Sequence, residues 1–313
     1  MLAQSPIVLT SCTGRKRAGS QAISLAAVSS GRTLAGVARR WFEAVRSTAP
    51  NHRADELYVG RSFSEARRVS NALGAGLRIV SAGLGIVSAD ERIPNYDLTV
   101  ASGRNSLAPV LASFDANASD WWSALTLQFG PRRTLQSVFC DTDDCLVMLA
   151  LPGSYLNLIG KELAALTPQQ ITRLRIFTSL HGRTILPPAV QHVVMPYDER
   201  LETSRLPGTR TDFPQRAMRH FVEDLSGHEL DIGIAAELVA QSMHRLSKRT
   251  VPPRTRMNDD EIAALLRDNW GRFQGASTQL LRYLRDEALV ACEQRRFQGI
   301  WSQVKNDLPG ERQ

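Results

Sequence analysis

Runs of consecutive apolar, β-branched residues alternate along this chain with stretches in which apolar residues return every three or four positions. Ile7, Val8 and Leu9 form the first run and predict a buried strand. Leu34, Val37, Ala38, Trp41, Phe42 and Val45 recur at helical spacing and predict an amphipathic helix that stops before Pro50. A second helix follows the segment LYVGRSF, with Ser62 and Glu65 as capping box, Ala66, Val69 and Leu73 as apolar stripe, and Gly74 and Gly76 as its end. A strand at 77–81 leads into a polar loop at 82–103, then a helix at 119–129 with Ser119 as cap. The pattern continues with a strand at 146–151, a helix carrying Leu156, Ile159, Leu163 and Leu166, and a short helix opened by Thr167, Pro168 and Gln170. Strands at 174–178 and 190–195 complete a set of five. Because the first four alternate with helices, the prediction is an α/β fold: a mostly parallel central sheet flanked by helices, with an all-helical C-terminal extension.

Beyond Pro196 the sequence turns polar, basic and rich in proline, and helices are expected at 212–225 and 232–246. A cationic linker, SKRTVPPRTR, precedes three further helices, at 258–270, 277–286 and 289–305. The organisation this predicts is an α/β domain over 1–200, a basic connecting segment over 201–256, and a small helical domain over 257–313. A helix-turn-helix unit in that last domain would offer Arg295 and Arg296 to phosphates. A plain helical bundle has the same pattern.

Composition narrows the function classes. No apolar run approaches the roughly 20 residues that span a bilayer, and no cationic leader precedes the first strand, so a cytoplasmic protein without membrane association is expected. Four cysteines, Cys12, Cys140, Cys145 and Cys292, are too few for a disulfide framework in 313 residues. The net charge of +7 comes mainly from arginine, which suits planar contact with phosphate or carboxylate.

Ligands of an open parallel sheet gather beyond the carboxyl ends of its strands. Those ends carry Ser11, Cys12 and Thr13, then Ser81, then Tyr155, and Ser179 with His181. Cys12 has Arg15, Lys16 and Arg17 close behind it, a setting that stabilises a thiolate. A cysteine at a strand end also simply packs. Asp90, Glu91 and Asp97 cluster in the 82–103 loop beside Tyr96 and Thr99, where carboxylates can orient water or act as base and acid. The same residues can merely stabilise a loop. Arg200, Arg210 and Arg216 fit either a phosphate clamp or a salt-bridged linker. Cys140 and Cys145 flank four polar residues but lack a second ligand pair, so a turn is expected there, with no metal and no cofactor.

The stretch SAGLGIVSADERIPNYDLTV resembles the central signature of the YaaA-like superfamily, in which a strand is followed by a small-residue turn, an acidic pair and a Tyr-Asp ending. SCTGRK and YDLTVASG are similar to the corresponding turns of the archaeosine synthase catalytic domain, and LYVGRSF to a YaaA-like Leu-Tyr-x-Gly segment. The likeness covers roughly residues 5–200, and Cys12 brings the chain nearest to the DpdC family of bacterial 7-deazaguanine DNA modification systems. That resemblance implies an enzyme that hydrates the nitrile of 7-cyano-7-deazaguanine in double-stranded DNA, working beside other proteins of the same system. Cys12, Lys16, Asp90 and Asp97 would then be catalytic, and Ser11, Thr13, Ser81, Glu91, Tyr96 and Tyr155 would bind substrate. Another reading it allows is a non-catalytic DNA-binding protein of stress response or phage defence.

Overall fold

The computed structural model describes residues 5–14, 16–17, 22–27, 31–101, 103, 105–140, 145–248 and 252–307. Five strands, β1 (Ile7–Ser11), β2 (Gly76–Ser81), β3 (Gly85–Ser88), β4 (Val147–Ala150) and β5 (Leu174–Phe177), form one sheet in the order β3-β2-β1-β4-β5. β1, β2, β4 and β5 are parallel, and β3 runs antiparallel to β2. All residues of β1, β4 and β5 are buried, as expected for strands covered on both faces. The chain leaves β1 for β2 on one side and reaches β4 on the other. β1 is therefore the point at which strand order reverses.

The principal helices around the sheet are α1 (Leu34–Ser47), α2 (Arg61–Leu73), α3 (Ala118–Phe129), α4 (Gly153–Leu158), α5 (Phe213–Glu223) and α6 (Ile232–His244). α1 and α3 pack on each other, with Phe42 and Phe129 edge to face at 4.9 Å. α2 and α5 form a second packed pair, tied by Arg219 to Glu65 at 2.9 Å. α5 also reaches the sheet itself: Gln215 Nε2 donates to Thr10 Oγ1 at 3.0 Å and to the Ala150 carbonyl at 2.9 Å. Its apolar stripe of Phe213, Ala217, Met218 and Phe221 is buried.

Several local expectations are corrected. Residues 190–195 are not a strand: Pro188–Val193 is a 3-10 helix, and only Val194 pairs with Ile176. Pro187 and Pro188 open that turn, and Val190 and Val193 are buried at a spacing of three. α2 starts at Arg61, so Ser62 lies inside the helix and caps nothing; Glu65 pairs with arginines instead. α3 is capped by Asn117 together with Asp120, rather than by Ser119. Thr167 and Gln170 do form their capping box, as do Asn258 and Glu261.

The chain divides into two compact units, Met1–Arg249 and Thr250–Gln313. The segment after 200 thus belongs to the first unit up to 249, because α5 is anchored in the sheet. The second unit has its own core of Ile262, Leu266, Leu280, Leu284, Val290, Phe297 and Val304. Its helices are α7 (Asp259–Asp268), α8 (Ser277–Arg282) and α9 (Gln294–Asp307). Trp270 and Trp301 stack with ring centres 6.1 Å apart. Among the described residues no helix is long and apolar enough to cross a membrane.

Candidate active site

Cys12 immediately follows β1, at the point where the strand order reverses, and Tyr155 comes from the first turn of α4 just beyond β4. The Cys12 Sγ and the Tyr155 hydroxyl lie 2.9 Å apart, bringing together residues 143 positions distant in sequence. Burial keeps the Tyr155 phenol well above its usual titration range, with the Cys12 charge next in importance, so the group is an O–H donor at neutral pH. A hydrogen bond from Thr99 works against that shift, so the Tyr155 hydroxyl lies between Thr99 and the Cys12 sulfur.

A second chain of hydroxyls stands beside the first. Ser81 Oγ, at the end of β2, accepts the backbone N–H groups of Gly83 at 3.2 Å and Leu84 at 3.1 Å. It meets the Tyr96 hydroxyl at 2.6 Å, and Tyr96 meets Tyr58 at 2.7 Å. Tyr58 and Tyr96 are fully buried and, like Tyr155, are held protonated by burial first and the Cys12 charge second. All three phenols thus lie within electrostatic reach of Cys12.

Lys16 completes the group. The chain after β1 turns back so that Lys16 bridges Tyr58 in antiparallel fashion and the Arg17 N–H donates to Leu57 O at 2.9 Å. The Lys16 ammonium donates to the Tyr96 carbonyl at 2.5 Å and lies 3.9 Å from the centre of the Tyr96 ring. Burial pushes its pKa below the ordinary lysine value, while the Cys12 sulfur and the Asp97 carboxylate pull it back up. Asp97 pairs with Asn105 and sits on the short strand Tyr96–Asp97, paired with Ile23–Ser24. Close packing defines the turn between β2 and β3. A Cβ on Gly83 would lie 2.9 Å from Trp41 and 3.0 Å from Tyr96, and Gly85 has φ +73°. Trp41 and Trp121 donate to the Gly83 and Ala82 carbonyls at 2.6 and 2.8 Å.

Cys12, Lys16, Asp97, Ser81, Tyr96 and Tyr155 are therefore gathered at one end of the sheet, with Ser11 buried at the end of β1 and Thr13 half-buried beyond it. Asp90 is not among them. β3 carries the chain back along β2, so that Ser88 pairs with Arg78, and Asp90 lies exposed near the amino end of β2. There it bonds to Ser88 and lines a surface cleft of about 290 Å³ with Arg53, Arg67 and Arg78. Glu91 is occupied by Arg133, whose Nη1 is 2.8 Å from Glu91 Oε2. A cleft of about 540 Å³ lined by Asn117, Asn157, Lys161 and Pro187 contains none of the predicted site residues.

The arginines divide similarly. Arg216 is fully buried and bonded to Asp212, Glu202 and two carbonyls, so it is a core residue and not a phosphate clamp. Arg200 is bound to Asp198 at 2.6 Å, and Arg296 to Asp259 and the Met257 carbonyl, both at 2.7 Å. Arg210 and Arg295 are exposed. After residue 249 ten basic residues face nine acidic ones, which leaves the charge excess in the first unit. Arg15, residues 141–144 and the side chain of Cys140 lie outside the described residues. Among the described residues no cluster of three His, Cys, Asp or Glu side chains could hold a metal ion.

Tyr58, Thr99 and Asn105 were not expected as a set. Tyr58 stood in the LYVGRSF segment, where a tyrosine beside Leu and Val reads as core, and only tertiary contact reveals its hydroxyl chemistry. No family model, no curated protein and no solved structure matches this chain.

Proposed function

We propose that the chain hydrates the nitrile of a 7-cyano-7-deazaguanine in DNA to the amide, with Cys12 as nucleophile. The observation that carries this reading is the hydrogen-bonded Cys12–Tyr155 pair at the strand-order reversal, with the Lys16 ammonium in its field. A nitrile carbon resists neutral water, and a thiolate adds to it more readily. Sulfur bonds to that carbon, the released π pair goes to nitrogen, and nitrogen takes a proton, giving a thioimidate. Water then adds through oxygen while one of its protons restores the acid used in the first step. Collapse breaks the C–S bond, moves the new hydroxyl proton to nitrogen and returns amide and thiolate.

In this scheme Tyr155 orients the sulfur and Lys16 stabilises its charge, while Asp97, held by Asn105, orients water. Asp90, at the far end of the sheet, has no part. The substrate class rests on the sequence resemblance. A base in duplex DNA must leave the stack at roughly a few kcal/mol, and exposed arginines such as Arg210 are available to the backbone. Cys12 and Tyr155 are each 5% exposed, so a base gains the sulfur only as the chain over it yields.

The test is nucleoside mass spectrometry on DNA carrying the cyano base. Cys12→Ala should abolish amide formation and leave DNA affinity within about twofold. Full activity in that variant removes the thiol mechanism. DNA left unchanged by the wild type removes the enzyme reading in favour of a binding protein, whose affinity falls with salt and ignores Cys12→Ala.

A further inference from the structure

We propose that the cleft at the amino end of β2 binds a phosphate group, gripped by Arg67 and Arg78 and opposed by Asp90. Gly76 and Leu77, the first residues of β2, line this cleft of about 290 Å³, so it lies at the opposite end of the sheet from Cys12. The inference stands whether or not the chain acts on a nitrile.

α2 and the β2–β3 hairpin build the cleft. Arg67, Ser70 and Asn71 share one face of α2 at spacings of three and four, and Arg78 and Ser88 are cross-strand partners in the hairpin. Arg53 also lines it, but its fork is taken by Asp55 at 3.0 and 2.9 Å, which leaves that pair without net charge. Arg78 differs. It is half-buried, its Nη1 donates to Ser88 Oγ at 2.8 Å, and among the described residues no carboxylate pairs with it. Arg67 is exposed and likewise lacks an ion pair among the described residues. Holding a guanidinium partly out of water without a counter-ion is costly, and two such cations lining one cleft repel each other. An anion between them relieves both costs. One arginine fork fills the two oxygens of a carboxylate, whereas a phosphate has oxygens enough for two forks.

The end of α2 leaves room for such an anion, because the Ser70 and Asn71 carbonyls already accept the Ala75 and Gly74 N–H groups at 2.8 and 3.3 Å. Asp90 is the opposing charge. Ser88 Oγ donates to it while accepting from Arg78, which holds the carboxylate beside the cleft in its ionised form. Two unpaired cations against one carboxylate leave the cleft positive, and removing the carboxylate must strengthen its hold on an anion.

Equilibrium dialysis of the full chain against radiolabelled inorganic pyrophosphate, in metal-free buffer, tests the proposal. The wild type should bind at about millimolar concentration or tighter. Arg67→Gln and Arg78→Gln should each weaken binding by about tenfold, and Asp90→Asn should tighten it by about three- to tenfold. An unchanged melting temperature in Arg67→Gln, a change at an exposed position, shows that the loss is not unfolding. No binding by the wild type, equal binding by both arginine variants, or unchanged or weaker binding by Asp90→Asn overturns the proposal. An unmodified DNA duplex then separates two sources of the phosphate. Displacement of pyrophosphate by the duplex assigns the cleft to the DNA backbone, and undisturbed pyrophosphate assigns it to a small phosphorylated molecule; both results support the site.

Discussion

Replacing Arg216 by leucine separates two accounts of the arginine-rich segment after 200. Arg216 is fully buried; its Nε and Nη2 bond to Asp212 and Glu202 at 2.6 Å, and its Nη1 and Nη2 to the Leu206 and Thr209 carbonyls at 2.7 and 2.9 Å. Leucine keeps some of the volume and removes all four bonds. Two charge-assisted bonds contribute about 1.5–3 kcal/mol each, and an orphaned buried carbonyl costs about 1–3 kcal/mol. Against this, the guanidinium no longer has to leave water, which returns several kcal/mol. Glu202, with a side chain 20% exposed, recovers some hydration as well. The balance is a loss of about 3–5 kcal/mol, the usual result of removing one partner from a buried pair. In a unit of this size that lowers the melting temperature by roughly 6–20 °C. Urea unfolding followed by far-ultraviolet circular dichroism measures it, with the first transition moving and its slope unchanged. A loss below about 1 kcal/mol would show that the network contributes little, and the stability reasoning would fail. Weaker DNA binding with unchanged stability would instead restore Arg216 as a phosphate clamp.

Gly85→Ala should destabilise the first unit by about 1–3 kcal/mol, because a Cβ there would lie 2.8 Å from the Arg133 backbone oxygen at a residue with φ +73°; the urea midpoint checks it. His220 has its pKa lowered, by burial first, although Asp224 pulls the other way, so its folded value lies below its unfolded one. Its contribution is present above the unfolded value near about 6.5 and is lost as pH falls through the folded value, so the urea midpoint should drop on acidification below pH 6.5 and drop less in His220→Gln. Thr250–Gln313 expressed alone should unfold cooperatively with helical circular dichroism, since its core is self-contained; a gradual, non-sigmoidal loss of signal would contradict that.

The parallel strands were legible because strands buried on both faces are rich in consecutive apolar residues: 7–9 and 146–151 are unbroken apolar runs, while 77–81 and 174–178 keep the pattern around Arg78 and Arg175 and end in Ser81 and Thr178. β3 was not, since Gly85-Ile-Val-Ser follows a glycine-bearing turn and is too short to stand out from a loop. Missing it had a direct cost: a hairpin reverses direction, and Asp90 was assigned to the wrong end of the sheet. Convergence of Cys12, Ser81 and Tyr155 followed from their places at the carboxyl ends of parallel strands, whereas the hydroxyl contacts of Tyr96 with Tyr58 and Ser81 join residues whose meeting only the tertiary structure reveals. Arg216 carried a signal in its spacing of four from Asp212, but that spacing is equally common on solvated helices.

β3 also settles what the sheet presents to other chains. It is the outermost strand beside β2, and an outermost strand offers its free carbonyls as a template for any passing extended segment. Here Arg133 reaches over it, donating to the Ile86 carbonyl at 3.2 Å while gripping Glu91. The side chain is a stopper on a growing edge. Remove it and the liability is colloidal: strand addition between copies, and with it a tendency toward fibres at concentrations where the intact chain stays dispersed.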